Sequence, residues 1–149
     1  MRLAWLAIGA ALLLAAAGCG GGGSSNGVKG ARKTISPKAQ IRQNWVSFFD
    51  PSTPPAQKVK LLQNGQKFAP VIKAEAGSPL AKKTAATVKS VTLNDPSHAT
   101  VVYTITLAGK PALKNQTGQA VLVNGTWKVG DQSLCGILGL QGQKPPGCA

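Results

Sequence analysis

One histidine, four carboxylates, three cysteines and a few serines are the side chains here with types that can do chemistry. His98 follows Asp95 by three residues, a spacing that in a pocket would suit proton transfer. A general base must reach its substrate and hold a tuned pKa. Asn94-Asp95-Pro96-Ser97 reads as a turn, which leaves both groups facing water. Asp50 precedes Pro51-Ser52-Thr53, and its carboxylate is expected to organise that turn by a local hydrogen bond to the backbone. Glu75 and Asp131 have no visible partner. Carboxylates this scattered do not form a glycosidase pair. Ser52, Ser78 and Ser133 lack a G-x-S-x-G elbow. The glycine run at 20–23 is not followed by Lys-Ser/Thr, so it is no phosphate loop. No catalytic residue, metal ligand set or cofactor is expected, and the chain is not read as an enzyme.

The cysteines have other uses. Met1 to Ala17 holds a single charge, Arg2, then an apolar run from Leu3 that the glycines at 20–23 cut short. A bilayer-crossing helix needs about 20 apolar residues, so residues 1–18 read as a signal peptide. An uncleaved N-terminal anchor is the alternative. Leu14-Ala15-Ala16-Ala17-Gly18-Cys19 resembles a lipobox, which makes Cys19 the expected site of lipidation. The lipobox usually carries leucine three residues before the cysteine, where this chain has Ala16. Ordinary cleavage near Ala15-Ala16-Ala17 fits a small-x-small signal as well. Stable anchoring takes more than one acyl chain, and the di- or triacyl cysteine implied by the lipobox resemblance meets that condition. Residues 19–35 are rich in Gly and Ser and read as a flexible tether of about 20–24 Å. Cys135 and Cys148 remain, an even pair that in an oxidising compartment reads as a disulfide. It would close a loop of about 14 residues and contribute roughly 3 kcal/mol. No second cysteine pair or nearby histidine makes it a zinc site, and Cys-x-x-Cys is absent.

The formal net charge is +13, with 17 Lys and Arg against 4 Asp and Glu. An exported chain seldom meets nucleic acid, and no arginine-rich or aromatic-interleaved patch is present, so nucleic acid is not an expected partner. The expected partners are the membrane, through the lipid anchor, and anionic envelope lipids or envelope proteins. The expected location is the extracytoplasmic face of the cell membrane, with secretion as the alternative. Scattered lysines also serve solubility alone.

The elements that must position these groups fall in two blocks. Ser36-Pro37 pairs an N-cap with proline at the first helical position. Ile41, Trp45, Phe48 and Phe49 then recur on one face of a helix running to about Asp50. A second helix is predicted from Thr53-Pro54 to a stop at Asn64-Gly65. A third and shorter one carries Phe68, Val71 and Ile72, with Pro70 in its first turn. Ser78-Pro79 opens one more turn. After Thr84 the period becomes two. Val91 and Leu93 alternate while Val88 falls out of phase, which points to a bulge. Val101, Tyr103, Ile105 and Leu107 alternate next, and a further strand runs from Gly118 to Val123. Asn124-Gly125 is a strong hairpin signal, pairing Leu122 with Trp127 and Ala120 with Val129. Ser133 to Leu140 reads as a turn of helix capped by the disulfide. Helices followed by antiparallel strands indicate α+β, a single domain over 36–149 with about four strands.

Two stretches, NWVSFFDPSTPPAQKVKLLQNGQKFAPVI at 44–72 with SPLA at 78–81, and GTWKVGDQSLCGILGL at 125–140, resemble the low-molecular-weight secreted antigen family of mycobacteria and related actinobacteria. The resemblance covers about residues 36–141. It implies a cone-shaped fold similar to nuclear transport factor 2, with helices on a curved antiparallel sheet. It also implies export, antigenicity and no established enzymatic activity. In such a cone Trp45, Phe48, Phe49, Phe68 and Tyr103 are candidate lining for an apolar pocket, although core packing accounts for them without one. The leading functional expectation is a membrane-tethered binding or adaptor domain of the envelope. The alternatives are a carrier of a small apolar ligand or lipid in the cone interior, and a freely secreted antigen-like protein.

Overall fold

The computed structural model describes residues 34–148. The segment expected to be a signal peptide, Cys19 and nearly all of the expected tether lie outside the described residues.

The first helix, α1, spans Pro37–Phe49. The Ser36 hydroxyl caps it by accepting from the Ala39 N–H at 3.3 Å. Ile41, Trp45 and Phe48 are buried along one face. The helix stops where Asp50 turns extended ahead of Pro51, because a residue before proline avoids the helical region. The Asp50 carboxylate then accepts from the Ser52 N–H at 2.7 Å and the Ser52 hydroxyl at 2.6 Å, which fixes the turn.

The second helix, α2, runs Pro55–Leu61. It starts one residue later than Thr53-Pro54 suggests, since Pro54 itself precedes a proline and stays extended. The third, α3, runs Gly65–Glu75 and is longer than expected. The second helix ends before Asn64, at Leu61, where Leu62 turns extended and bridges Val129. Asn64 then takes a single left-handed step, φ 51°, that leads into α3. Gly65 permits that corner, because a β-carbon there would sit 2.0 Å from the Val59 carbonyl oxygen. Pro70 therefore lies inside α3 and past its first turn. Burial of Phe68 and Ile72 on either side of it holds the helix together.

A 3₁₀ turn at Ala81–Lys83 leads into the sheet. Its strands are β1 (Thr84–Leu93), β2 (His98–Leu107), β3 (Lys110–Val123) and β4 (Thr126–Val129). They pair antiparallel in the order β1-β2-β3-β4. The bulge falls where Val88 breaks the alternation: Val88 pairs with Tyr103 and Ser90 with Val102, so Lys89 has no opposite number. The extra residue lets Ala86 and Val88 before it, and Val91 after it, all face the core. Asn124 and Gly125 both take positive φ, 50° and 75°, as a two-residue hairpin requires. The pairs Leu122–Trp127 and Ala120–Val129 follow. β3 begins eight residues before Gly118, because Ala108 and Gly109 make a second two-residue turn at φ 49° and 78° that pairs Leu107 with Lys110.

The last helix, α4, spans Asp131–Leu140, with Ser133, Leu134 and Leu138 buried. Cys135 and Cys148 are joined by a disulfide. It brings the tail back onto α3: a β-carbon on Gly147 would stand 2.6 Å from the ring of Phe68, itself fully buried.

Helix α1 packs against β1 and also against β4, the two outer strands. Four strands side by side would be about 14 Å across at ~4.8 Å spacing, so one helix reaches both edges only if the sheet curls around it. Polar side chains of α1 complete the join. Gln40 Oε1 accepts from the Trp127 N–H at 3.3 Å, and Asn44 Nδ2 donates to the Trp127 carbonyl at 2.7 Å. Arg42 donates to the Val88 carbonyl at the bulge. The Gln63 N–H adds a bond to the Val129 carbonyl at 2.8 Å. These bonds occupy backbone groups that an edge strand would otherwise offer to another chain. The result is a cone-shaped α+β fold of the nuclear transport factor 2 type, with helices packed on a curved four-stranded antiparallel sheet.

Candidate functional site

The aromatic residues of α1 divide between two roles. Trp45 is fully buried against Tyr103, with ring centroids 5.0 Å apart. Phe68 is fully buried beneath Gly147, and Tyr103 is 2% exposed. These three fill the core. Phe48 and Phe49, one turn further on, reach an open cleft. Their rings meet edge to face at 5.1 Å, and Phe49 stacks on Tyr103 at 5.9 Å. Burial pushes the Tyr103 hydroxyl up to about 12, so it stays protonated across the physiological range.

The cleft has a volume of about 130 Å³. Phe48 and Phe49 form one wall, Val71 and Ile72 of α3 another, and Leu134, Ile137 and Leu138 of α4 a third. Leu80, 43% exposed, stands at the rim. The aliphatic walls were not among the expected lining residues. Leu134, Ile137 and Leu138 do recur at i, i+3 and i+4, the period of a helix face. That signal was readable in the sequence once the last segment was allowed to be a full helix instead of one turn.

Four polar side chains, Lys58, Glu75, Thr84 and Gln141, stand among these apolar walls. Glu75, half-buried, accepts from Gln143 Nε2 at 3.3 Å and from the Ser78 hydroxyl at 3.5 Å. It therefore has partners that the sequence did not reveal, as does Asp131, which accepts from Asn64 Nδ2 at 2.8 Å. Lys58, also half-buried, has its pKa pushed down by burial, with Asp50 pulling weakly the other way. Lys58 also lines a second cleft of about 130 Å³, formed with Pro51–Pro55, Ala76, Ala81 and Lys82.

The residues with catalytic types do not assemble a catalytic site. His98 Nδ1 lies 3.0 Å from Asp95 Oδ2 and 3.0 Å from the Ser97 hydroxyl. A nucleophile relay needs the hydroxyl and the carboxylate on opposite imidazole nitrogens, and here both meet the same one. The group is a turn instead. The Asp95 carboxylate accepts from the Ser97 N–H at 2.7 Å and the His98 N–H at 2.8 Å. The Ser97 hydrogen bonds, backbone first, hold its pKa at about 2, with a smaller pull from His98. Ser133, the buried polar residue, is taken up structurally. Its hydroxyl accepts from the Gln119 N–H at 2.9 Å and donates to the Gln119 carbonyl at 3.4 Å. Ser52 and Ser78 likewise serve turns. Among the described residues no group of three His, Cys, Asp or Glu could hold a metal ion.

Residues 34–145 match the family model described as low molecular weight antigen MTB12, C-terminal domain. No curated protein matches the chain. The family match corrects two expectations: that the protein is lipid-anchored at the cell membrane, and that its partners are the membrane, envelope lipids or envelope proteins. It points to the secreted class of antigen that the sequence resembles. No helix among the described residues is long and apolar enough to cross a membrane. The lipobox-like stretch carries Ala16 where the usual motif has leucine.

Proposed function

This chain belongs to the family of the low molecular weight antigen MTB12, and from that premise we propose that it is a freely secreted, non-enzymatic domain that takes up a small apolar ligand between α1, α3 and α4. The observation that carries the reading is the cleft at the end of an otherwise filled core. Trp45, Phe68 and Leu62 are fully buried, yet Phe48, Phe49, Ile137 and Leu138 leave about 130 Å³ between them. Apolar walls that meet water lose dispersion contacts, and an apolar ligand restores them. A dry cavity of about 150 Å³ in another protein is enough to hold benzene. Release from the cell follows cleavage near Ala15-Ala16-Ala17.

Two measurements test the two halves. The intact mass of the protein recovered from the culture medium should match an unmodified chain beginning after Ala17. A diacylated Cys19 found instead in the membrane fraction would sink the secreted reading. For the cleft, the full secreted chain should bind benzene saturably, and Ala76→Phe, which fills the space, should abolish that binding. Unchanged binding in Ala76→Phe would remove the cleft from consideration.

A further inference from the structure

The apolar cleft and the polar cleft adjoin. Lys58, Ala76 and Ala81 line both. On one side stand Phe48, Val71, Ile137 and Leu138; on the other stand Ser52, Thr53 and Lys82. Resting on the apolar-ligand reading above, we propose that the ligand is a single-chain amphiphile with an anionic head, its tail between α1, α3 and α4 and its head between Lys58 and Lys82.

Charge complementarity selects the head. Among the described residues the ion pair is His98–Asp95, at the far end of β2, so neither Lys58 nor Lys82 has a carboxylate partner. Asp50 pulls on Lys58 only weakly and makes no ion pair with it, and Ser52 holds one of its two oxygens, Oδ1. A half-buried ammonium without a partner favours an incoming anion, since the bond formed is charge-assisted and partly shielded from water. Glu75 lines the apolar cleft but not the polar one. It therefore repels an anion from the tail side and favours the orientation with the head toward Lys82. The strong excess of Lys and Arg over Asp and Glu, which loss of Arg2 on cleavage barely changes, adds a long-range attraction for anions. The tail count follows from volume: about 130 Å³ accepts part of one acyl chain and excludes the paired tails of a bilayer lipid.

The test compares head groups on one tail. Dodecanoate, dodecanol and dodecyltrimethylammonium are titrated into the full secreted chain by calorimetry, the two ionic compounds below their micelle concentrations and dodecanol below its solubility limit. Dodecanoate should bind about tenfold more tightly than dodecanol, and the trimethylammonium compound more weakly than either. Lys58→Met keeps the apolar stem and removes the charge. It should erase the dodecanoate preference and leave dodecanol affinity unchanged. Lys89→Gln, an exposed lysine on the β1 bulge, should leave the preference intact. Equal affinity for dodecanoate and dodecanol in the wild-type chain would overturn the anionic head while leaving the apolar cleft standing. So would a preference that survives Lys58→Met or that vanishes equally in Lys89→Gln. Failure of all three amphiphiles to bind would overturn the apolar-ligand reading itself.

Discussion

The ring of Trp45 occupies the space that a side chain on Gly118 would need: a β-carbon there would stand 2.8 Å from two of its ring carbons. The same β-carbon would stand 2.8 Å from Ser133 Oγ. One missing methyl thus lets α1, β3 and α4 meet at a single point.

Gly118→Ala should cost about 1–3 kcal/mol, the range for overpacking a filled core, because neither the indole nor the hydroxyl bonded to Gln119 can easily retreat. Gly136→Ala is the matched control. It lies within α4 with nothing within 4 Å, and should stabilise by up to about 1 kcal/mol through helix propensity. Urea unfolding of the two variants should move in opposite directions.

Asn44→Ala should destabilise by about 1–2 kcal/mol. It leaves the Trp127 carbonyl without its bond across 83 residues of sequence. Hydrogen exchange should quicken along β4 before it does along β2. Because β4 is an edge strand, the double variant with Gln40→Ala should also self-associate at lower concentration, readable by sedimentation.

Reduction of Cys135–Cys148, which are 13 residues apart, should lower stability by about 3 kcal/mol. The Cys148→Ser variant should show the same loss without reductant. In both, the tail that places Gly147 on Phe68 is no longer held, so protease should clip residues 142–148 first.

Acid should loosen the β1–β2 turn. The Asp95 carboxylate has its folded pKa depressed to about 2 from 3.8. Its stabilising contribution is therefore fully present above about 4 and is lost as pH falls toward 2. Asp50, depressed by Ser52, acts in the same direction. Asp95→Asn should be less stable than wild type at pH 6, and the gap should narrow by pH 2 in urea titrations.

Much of this fold was legible because local signals agreed with the tertiary outcome. Ser36-Pro37, the out-of-phase Val88 and Asn124-Gly125 each mark a feature found in place. The misses have physical causes. Asn64-Gly65 resembles a helix stop, but its glycine serves a close approach between two helices that only tertiary contact defines. Ala108-Gly109 carries no strong turn signal, because alanine rarely takes positive φ. The first half of β3, exposed over most of its length, has no alternation to read. The cleft was half legible: Phe48 and Phe49 were expected as lining, whereas the α3 and α4 walls depend on how three separate helices converge.

The bonds from Gln40 and Asn44 to Trp127 also impose an order in time. They join residues 87 and 83 positions apart, so Gln40 and Asn44 have no partner until β4 has emerged, although Arg42 can meet Val88 once β1 has. The seam between α1 and β4 can then lock only when the chain is nearly complete, since distant contacts must wait for loop closure. Closure of the sheet around the helix therefore waits for the last strand, whatever has paired before it.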